Sequence, residues 1–234
     1  ESETLELFAQ FAEQPEYTEL AAEFGFDPAP FTPTVEAPSG STLIDVQNVW
    51  KDKKDGGRPV ATVFVVDVSG SMEGTRIQSV RNAMVSAREF DKPETEVGVV
   101  EFNDTAMKRL DIAEFDLNQQ GRYAAIAEDL SPGGGTAMYD GIVLGLKMLE
   151  DQRAADPDLK TILVVLTDGE TTDGLQFGDV DEMIAGLRIP IYTVGFEADL
   201  EELGRVSSLV EAASIDAREE DVEFKIAALF NAGG

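Results

Sequence analysis

Three polar segments of the sequence carry oxygen atoms at spacings that could hold a hard metal ion. They are Asp67-Val68-Ser69-Gly70-Ser71, then Thr136 after three glycines, and finally Thr167-Asp168-Gly169-Glu170. Carboxylate and hydroxyl oxygens suit an octahedral Mg²⁺ site, in which the ion commonly keeps some water and so leaves room for an outside ligand. The candidate ligands are Asp67, Ser69, Ser71, Thr136 and Asp168. The pattern therefore predicts a divalent-metal site, with Mg²⁺ as the expected ion and Mn²⁺ or Ca²⁺ as alternatives.

Each segment also has a purely structural interpretation. Asp and Ser side chains accept hydrogen bonds from free backbone N–H groups at helix N-termini, and a glycine run before a helix is often only a loop. Three such segments at the ends of strands in one sheet are harder to explain in this way, so the combination favours the metal site. Glu170 and Asp173 are expected to be acids of the rim and not ligands.

The residue types that are missing exclude most catalytic chemistry. The 234 residues contain no cysteine and no histidine, which removes thiolate nucleophiles, zinc–thiolate sites and every Ser-His-Asp triad. There is also no phosphate-binding lysine motif of the Walker type. We therefore predict that the chain is not an enzyme, and a Mg²⁺-dependent hydrolase is the least favoured alternative.

The charge balance limits the classes of partner. Asp and Glu number 46 against 18 Lys and Arg, for a net charge of −28. A nucleic acid would be repelled by such a surface, so it is not an expected partner. No run of about 18 apolar residues is present, and the sequence therefore predicts no membrane-spanning helix.

The segments around the candidate ligands alternate between strand and helix patterns. Predicted strands are Val60–Asp67, Glu96–Phe102, Ala106–Ile112, Thr161–Thr167 and Ile189–Val194; predicted helices are residues 77–87, 119–130, 137–149, 200–212 and 221–230. Strands separated by helices of this length predict an α/β fold with a doubly wound, mostly parallel sheet flanked by helices. In such sheets ligands bind beyond the carboxyl ends of the strands. All of the candidate ligands are thus expected to converge on one rim.

In this arrangement the site resembles the metal-ion-dependent adhesion site of von Willebrand factor type A domains. That pattern is Asp-x-Ser-x-Ser, a Thr in a glycine-preceded loop and an Asp in a Thr-Asp-Gly turn, and Asp67, Ser69, Ser71, Thr136 and Asp168 match it in order. The similarity covers roughly residues 58–230. It implies that the two serines bind the metal directly, that the threonine binds directly or through water, and that the aspartates often act through water. It further implies a protein partner that supplies an Asp or Glu carboxylate. Integrin β chains carry further acids for a second metal after this motif, where the present sequence has Met72 and Glu73.

Residues 1–57 are predicted to form an appendage that packs on the main domain, residues 58–234. The segment FAQFAEQPEYTELAAEFGFDP is weakly similar to the C-terminal end of bacterial extracellular solute-binding proteins, and a proline-rich connector follows it. A chain this short buries only about 60% of its surface when it folds alone. We therefore expect a remnant of such a domain and not an independent unit.

Two functions from different classes remain open. The first is a divalent-metal-dependent protein-binding module for adhesion or complex assembly, in a bacterial protein that is extracellular or at the cell surface. The second is an accessory subunit of an intracellular ATPase complex of the metal-chelatase type, which would be cytoplasmic.

Overall fold

The computed structural model describes residues 58–87, 95–169, 171–196, 200–210 and 214–216, together with Thr42 and Val46. The described residues from Arg58 onward belong to one compact unit. The predicted packing of residues 1–57 and the predicted helix at residues 221–230 lie outside the described residues, and both stay predictions. In the described part of the chain no helix has the length and apolar character needed to cross a bilayer.

Strands and helices alternate through this unit. The strands are β1 (Val60–Asp67), β2 (Thr95–Phe102), β3 (Ala106–Glu114), β4 (Lys160–Thr167), β5 (Ile191–Gly195) and β6 (Ser214–Asp216). The helices are α1 (Thr75–Ala87), α2 (Leu117–Asp129), α3 (Met138–Ala155), α4 (Phe177–Leu187) and α5 (Leu200–Ser208), and a short 3-10 turn covers Gly70–Met72.

The strands form one six-stranded sheet in the order β3-β2-β1-β4-β5-β6. Only the β2–β3 pair is antiparallel, and the other neighbours run parallel. The predicted doubly wound, mostly parallel α/β fold is therefore confirmed. From β1 the chain builds outward in one direction through β2 and β3, and later returns to the other side of β1 with β4. This switch in strand order places a crevice at the carboxyl ends of β1 and β4, where the predicted site begins.

Strand β1 is buried on both faces, as its β-branched sequence VATVFVVD predicts. Phe64 and Val66 belong to the apolar cluster on one face of the sheet, whereas Val63 and Val65 belong to the cluster on the other. The last residue of the strand, Asp67, is also completely buried. A rigid, fully covered strand therefore carries the first candidate ligand.

Helix α3 lies unusually close to the sheet because two glycines face it. A Cβ on Gly141 would lie 2.9 Å from Val65 Cγ1, and a Cβ on Gly145 would lie 2.6 Å from Leu163 Cδ1. No side chain fits at either position without a shift of its neighbours. The close approach fixes the start of α3, and with it Thr136 just before the helix, over the central strands.

Among the described elements, the 3-10 turn, helix α4 and strand β6 were not predicted from the sequence. Helix α4 shows only Val180 and Ile184 as buried residues, and its N-cap is Gln176. Glutamine is not among the preferred capping residues, so the capping box that Gln176 forms with Asp179 gave no recognisable start signal. Strand β6 has only three residues, which is too short for a periodic pattern. Helix α3 also continues past the predicted end, as far as Ala155.

Candidate metal centre

The candidate ligands come from three loops at the carboxyl ends of the central strands. Asp67 ends β1, Ser69 and Ser71 lie in the loop that follows it, Thr136 precedes α3, and Asp168 directly follows β4. Backbone hydrogen bonds join two of these loops, because Gly70 N donates to Gly134 O at 3.0 Å and Gly133 N donates to Val68 O at 2.8 Å. The loop that carries Thr136 is therefore fixed against the loop that carries the serines.

A chain of hydrogen bonds links the two serines to Asp168. Ser71 Oγ donates to Asp168 Oδ1 at 2.8 Å, and the oxygens of Ser69 and Ser71 lie 3.0 Å apart. Since the only hydroxyl proton of Ser71 goes to Asp168, Ser69 must be the donor in the serine pair. Both serine oxygens keep lone pairs in this arrangement, which is the state in which a hydroxyl can bind a metal.

The distance between the two serine oxygens tests whether they fit a metal ion. Oxygen ligands of Mg²⁺ lie about 2.0–2.1 Å from the ion in octahedral geometry, so neighbouring ligands are about 2.9 Å apart. The observed separation of Ser69 Oγ and Ser71 Oγ is 3.0 Å. The pair therefore has the spacing of one edge of a Mg²⁺ octahedron, and these two hydroxyl oxygens fit the ion.

Asp67 is a buried carboxylate whose two oxygens are both engaged. Oδ1 accepts a hydrogen bond from Ser69 N at 2.7 Å, and Oδ2 accepts one from the hydroxyl of Thr167. Burial raises the pKa of Asp67; the hydrogen bonds from Thr167 and Ser69 lower it, and the negative charge of Asp168 raises it further. Two carboxylates held close together and away from water form a site that favours a cation.

Arg76 is a charged neighbour of the site that the sequence did not predict. Its Nη1 donates to Asp168 Oδ2 at 2.9 Å and to the backbone oxygen of Ser71 at 2.9 Å. The Asp168 side chain is 1% exposed and that of Arg76 is 31% exposed. One signal in the sequence could have identified Arg76. A basic residue in the first turn of a helix interacts unfavourably with the helix dipole, so its presence there indicates a favourable contact outside the helix.

The backbone of Thr136 is held on both sides by the segment that follows Asp168. Thr136 N donates to Thr172 Oγ1 at 3.0 Å, and Thr136 O accepts from Thr172 N at 3.0 Å and from Asp173 N at 3.3 Å. Thr172 was not singled out in the sequence. Asp173, expected as an acid of the rim, lies against the glycine loop, since a Cβ on Gly135 would be 1.8 Å from its Oδ2. The other expected acid of the rim, Glu170, lies outside the described residues.

Asp104 holds the same loop from a third direction. Its Oδ1 accepts a hydrogen bond from Gly135 N at 2.8 Å. Gly134 has a φ of 83°, and a Cβ there would lie 2.3 Å from Asp104 Oδ2. Only glycine fits both the conformation and the space at this position. The glycine run is thus required by contacts with acidic side chains as well as by the turn.

The donor set of the site is mixed. Within the described residues there is no group of three or more His, Cys, Asp or Glu side chains placed to hold a metal. The candidate ligands instead combine two carboxylates, Asp67 and Asp168, with the hydroxyls of Ser69, Ser71 and Thr136. Such hard oxygen donors favour Mg²⁺ or a similar ion over softer metals.

The sequence of this chain matches a known family model and known proteins. A family model described as "von Willebrand factor type A domain" matches residues 62–224. The inter-alpha-trypsin inhibitor heavy chain H1 of Sus scrofa is 28% identical over 164 residues, which is 66% of this chain and 17% of that protein. The chain therefore corresponds to about a sixth of the length of this relative.

Two solved structures have similar folds. A von Willebrand factor type A protein from Catenulispora acidiphila has a TM-score of 0.66 at 16% identity, covering 75% of this chain and 42% of that one. Proximal thread matrix protein 1 from the mussel byssus, whose structure has a zinc-occupied MIDAS motif, has a TM-score of 0.60 at 19% identity, covering 75% and 46% respectively. At these identities the similarity concerns the fold alone.

Proposed function

Because this chain belongs to the von Willebrand factor type A family, whose model matches residues 62–224, we propose that it is a divalent-metal-dependent protein-binding module. Asp67, Ser69, Ser71, Thr136 and Asp168 hold the ion, which is Mg²⁺ or, as alternatives, Mn²⁺ or Ca²⁺. The ion supplies a Lewis-acidic position that an Asp or Glu carboxylate of the partner occupies. The module works in adhesion or in the assembly of a protein complex.

The observation that carries this proposal is the separation of 3.0 Å between Ser69 Oγ and Ser71 Oγ. It matches the edge of a Mg²⁺ octahedron, and the hydrogen bond from Ser71 to Asp168 leaves both serine oxygens with lone pairs for the ion. The buried carboxylate of Asp67 adds negative charge at the same place. A capped turn alone would not require two buried acids close to each other.

We infer that the module is not catalytic. Neither cysteine nor histidine occurs in the sequence, so the commonest nucleophile and general base are missing. The side chains around the candidate ion are candidate ligands and groups that hold the backbone: Ser71 donates to Asp168 and is paired with Ser69, and Thr172 and Asp104 hold the backbone of the glycine loop. This division of roles suits binding, in which the outside ligand is held and not transformed.

We also propose that the module acts outside the cell or at the cell surface. The support comes from the byssus thread protein, a matrix protein of the same fold with a metal in its MIDAS motif. The strongly acidic surface, with a net charge of −28, keeps such a module soluble and monodisperse in an environment rich in salt.

A titration with Mn²⁺ tests the metal site directly. Free Mn²⁺ is followed by electron paramagnetic resonance while the full chain is added, at constant ionic strength. Ser69→Ala and Ser71→Ala each remove one ligand without altering the net charge, so binding of Mn²⁺ to scattered surface acids stays the same in these variants. Ser208→Ala, which changes an exposed serine of α5, is the matched control.

We expect one strong Mn²⁺ site in the wild type and in Ser208→Ala, and its loss in Ser69→Ala and Ser71→Ala. Mg²⁺ should displace the Mn²⁺ from that site. If all four proteins bind Mn²⁺ with the same stoichiometry and affinity, the serines are not ligands and the proposal is wrong.

A further inference from the structure

Arg76 places a permanent positive charge beside the candidate metal ligands. It is the second residue of α1, and its Nη1 contacts both Asp168 Oδ2 and the backbone oxygen of Ser71. These two acceptors belong to the two loops that carry the serines and the second aspartate. The guanidinium therefore lies at the junction of the ligand-bearing loops, and with 31% of its side chain exposed it also faces solvent there.

The position of Arg76 is not explained by the stability of its helix. A cation in the first turn of a helix interacts unfavourably with the helix dipole, which carries partial positive charge at that end. An arginine is fully charged at any pH that a protein tolerates, so its charge cannot be removed by deprotonation. The residue thus destabilises the N-terminus of α1, whereas its contacts with Asp168 Oδ2 and with the backbone oxygen of Ser71 are contacts with the loops of the candidate site.

The charges of the groups around the candidate metal ion indicate a function for Arg76. Asp67 and Asp168 together carry two negative charges, which one divalent cation neutralises. Without Arg76 the loaded site would then be neutral, in a chain whose net charge is −28. Asp104 and Asp173, which lie against the glycine loop, add negative potential nearby. A partner carboxylate would meet little electrostatic attraction in such a site.

We propose that Arg76 adds a positive charge to the metal-loaded site, and that it thereby favours a carboxylate over neutral oxygen ligands. The inference rests on the proposed metal-dependent binding function and names the group that gives it charge specificity. With Arg76 included, the two candidate aspartate ligands and a divalent cation sum to a charge of +1, and this positive charge is partly offset by Asp104 and Asp173. The same positive charge repels the metal ion when no carboxylate is present.

Metal and carboxylate should therefore bind cooperatively, and Arg76 should be the source of part of that cooperativity. The carboxylate relieves the repulsion between Arg76 and the metal ion, so each ligand strengthens the binding of the other by the same factor. Removal of the positive charge should strengthen the binding of the metal alone. It should also reduce the extra affinity that a carboxylate brings.

The experiment measures the dissociation constant of Mn²⁺ for the full chain in sodium chloride and in sodium acetate of equal ionic strength. Acetate is the carboxylate probe, and the ratio of the two constants measures the coupling. Arg76→Met removes the charge and keeps an extended side chain, whereas Arg76→Lys keeps the charge. Arg122→Met removes a positive charge from an exposed position on α2 and is the matched control.

In the wild type, Arg76→Lys and Arg122→Met, acetate should tighten Mn²⁺ binding by about fivefold or more, the lower end of typical coupling between two ligands. In Arg76→Met, Mn²⁺ should bind more tightly in chloride than it does to the wild type, and the effect of acetate should largely disappear. Circular dichroism of the metal-free proteins checks that the variants are folded.

Three outcomes would overturn the inference. They are an acetate effect of the same size in Arg76→Met and the wild type, no acetate effect in the wild type, and weaker Mn²⁺ binding by Arg76→Met in chloride. The last result would make Arg76 a residue that merely positions Asp168. Failure of the proposed function has a different signature, since Mn²⁺ binding would then be absent or insensitive to Ser71→Ala.

Discussion

The hydroxyl of Thr167 donates a hydrogen bond to Oδ2 of Asp67, and these two residues end the neighbouring parallel strands β4 and β1. Asp67 is completely buried and its second oxygen accepts from Ser69 N. The carboxylate is therefore oriented by the sheet itself, and burial raises its pKa because it disfavours the negative charge. This cost is consistent with a group kept for a cation and not for the stability of the metal-free fold.

The first prediction concerns Asp67→Asn. The amide keeps the shape of the carboxylate and removes the buried charge; its oxygen can accept from Ser69 N and its NH₂ group can donate to the Thr167 hydroxyl, so the metal-free variant should be at least as stable as the wild type. The metal-bound state should lose its extra stability, which for a ligand at a hundredfold excess over its Kd is about 2.7 kcal/mol. Thermal melts with EDTA and with Mg²⁺ measure both effects. Asp158→Asn, at an exposed position before β4, removes the same charge outside the site and should keep the Mg²⁺ shift.

Equal Mg²⁺ shifts in Asp67→Asn and in the wild type would contradict the assignment of Asp67 to the metal site. A marked loss of metal-free stability in Asp67→Asn would show instead that the charge itself supports the fold.

The second prediction concerns pH. Burial raises the pKa of Asp67 above its ordinary value of 3.8, so in the folded state it holds a proton at pH values where the unfolded chain has lost it. Its contribution to the free energy of unfolding is then greatest below the ordinary pKa and is lost as the pH rises through the raised one. The stability of the metal-free wild type relative to Asp67→Asn should therefore fall from about pH 4 towards neutrality.

Urea unfolding of both metal-free proteins across this range provides the measurement. Metal binding should show the opposite trend, because the ion binds the deprotonated carboxylate and competes with the proton. A stability difference between the two proteins that is constant with pH would rule out a raised pKa at Asp67.

The sequence predicted the positions of the loops that carry the candidate ligands, because each loop follows or precedes an element with a clear local pattern. Asp67, Ser69 and Ser71 lie within five consecutive residues. The β-branched residues before them identify the strand at whose end they lie. The supporting groups could not be found in this way. Arg76 meets Asp168 across 92 positions of the sequence, and Thr136 meets Thr172 across 36. The residues around Arg76 and around Thr136 do not indicate a partner so far away in the sequence. The two residues of each pair come together only because the strands lie side by side in the folded sheet.

The third prediction follows from the contact between Thr136 and Thr172. Thr172 Oγ1 accepts the hydrogen bond of Thr136 N, and this bond helps to hold Thr136, the candidate threonine ligand, in place. Thr172→Val should remove the acceptor of that N–H, which costs about 0.5–1.5 kcal/mol of stability for a partly buried hydrogen bond. It should also weaken Mn²⁺ binding roughly tenfold, as changes in groups that orient metal ligands typically do.

Thr172→Ser keeps the hydroxyl and serves as the control, so it should bind Mn²⁺ like the wild type. If Thr172→Val lowers stability but leaves the Mn²⁺ affinity unchanged, the contact supports the fold and does not orient a ligand.

The fourth prediction compares two glycines of the same loop. A Cβ on Gly135 would lie 1.8 Å from Asp173 Oδ2, whereas a Cβ on Gly133 would have nothing within 4 Å. Neither glycine has a positive φ, so alanine causes no backbone strain at either position. In Gly135→Ala the carboxylate of Asp173 must move, and its hydrogen bond from Thr172 Oγ1 is lost. Since Thr172 also binds Thr136, the disturbance should reach the metal site and weaken Mn²⁺ binding roughly tenfold. Gly133→Ala should bind Mn²⁺ like the wild type.

A second substitution separates this contact from any other effect of Gly135→Ala. Asp173→Ala removes the carboxylate that the new methyl group would displace, so the double variant should bind Mn²⁺ about as well as Asp173→Ala alone. The two changes would then be strongly non-additive, as expected for residues in direct contact. Additive losses would mean that the methyl group acts on the loop by another route. Equal affinities for Gly135→Ala and Gly133→Ala would mean that the packing of Asp173 on the glycine loop does not position Thr136 at all.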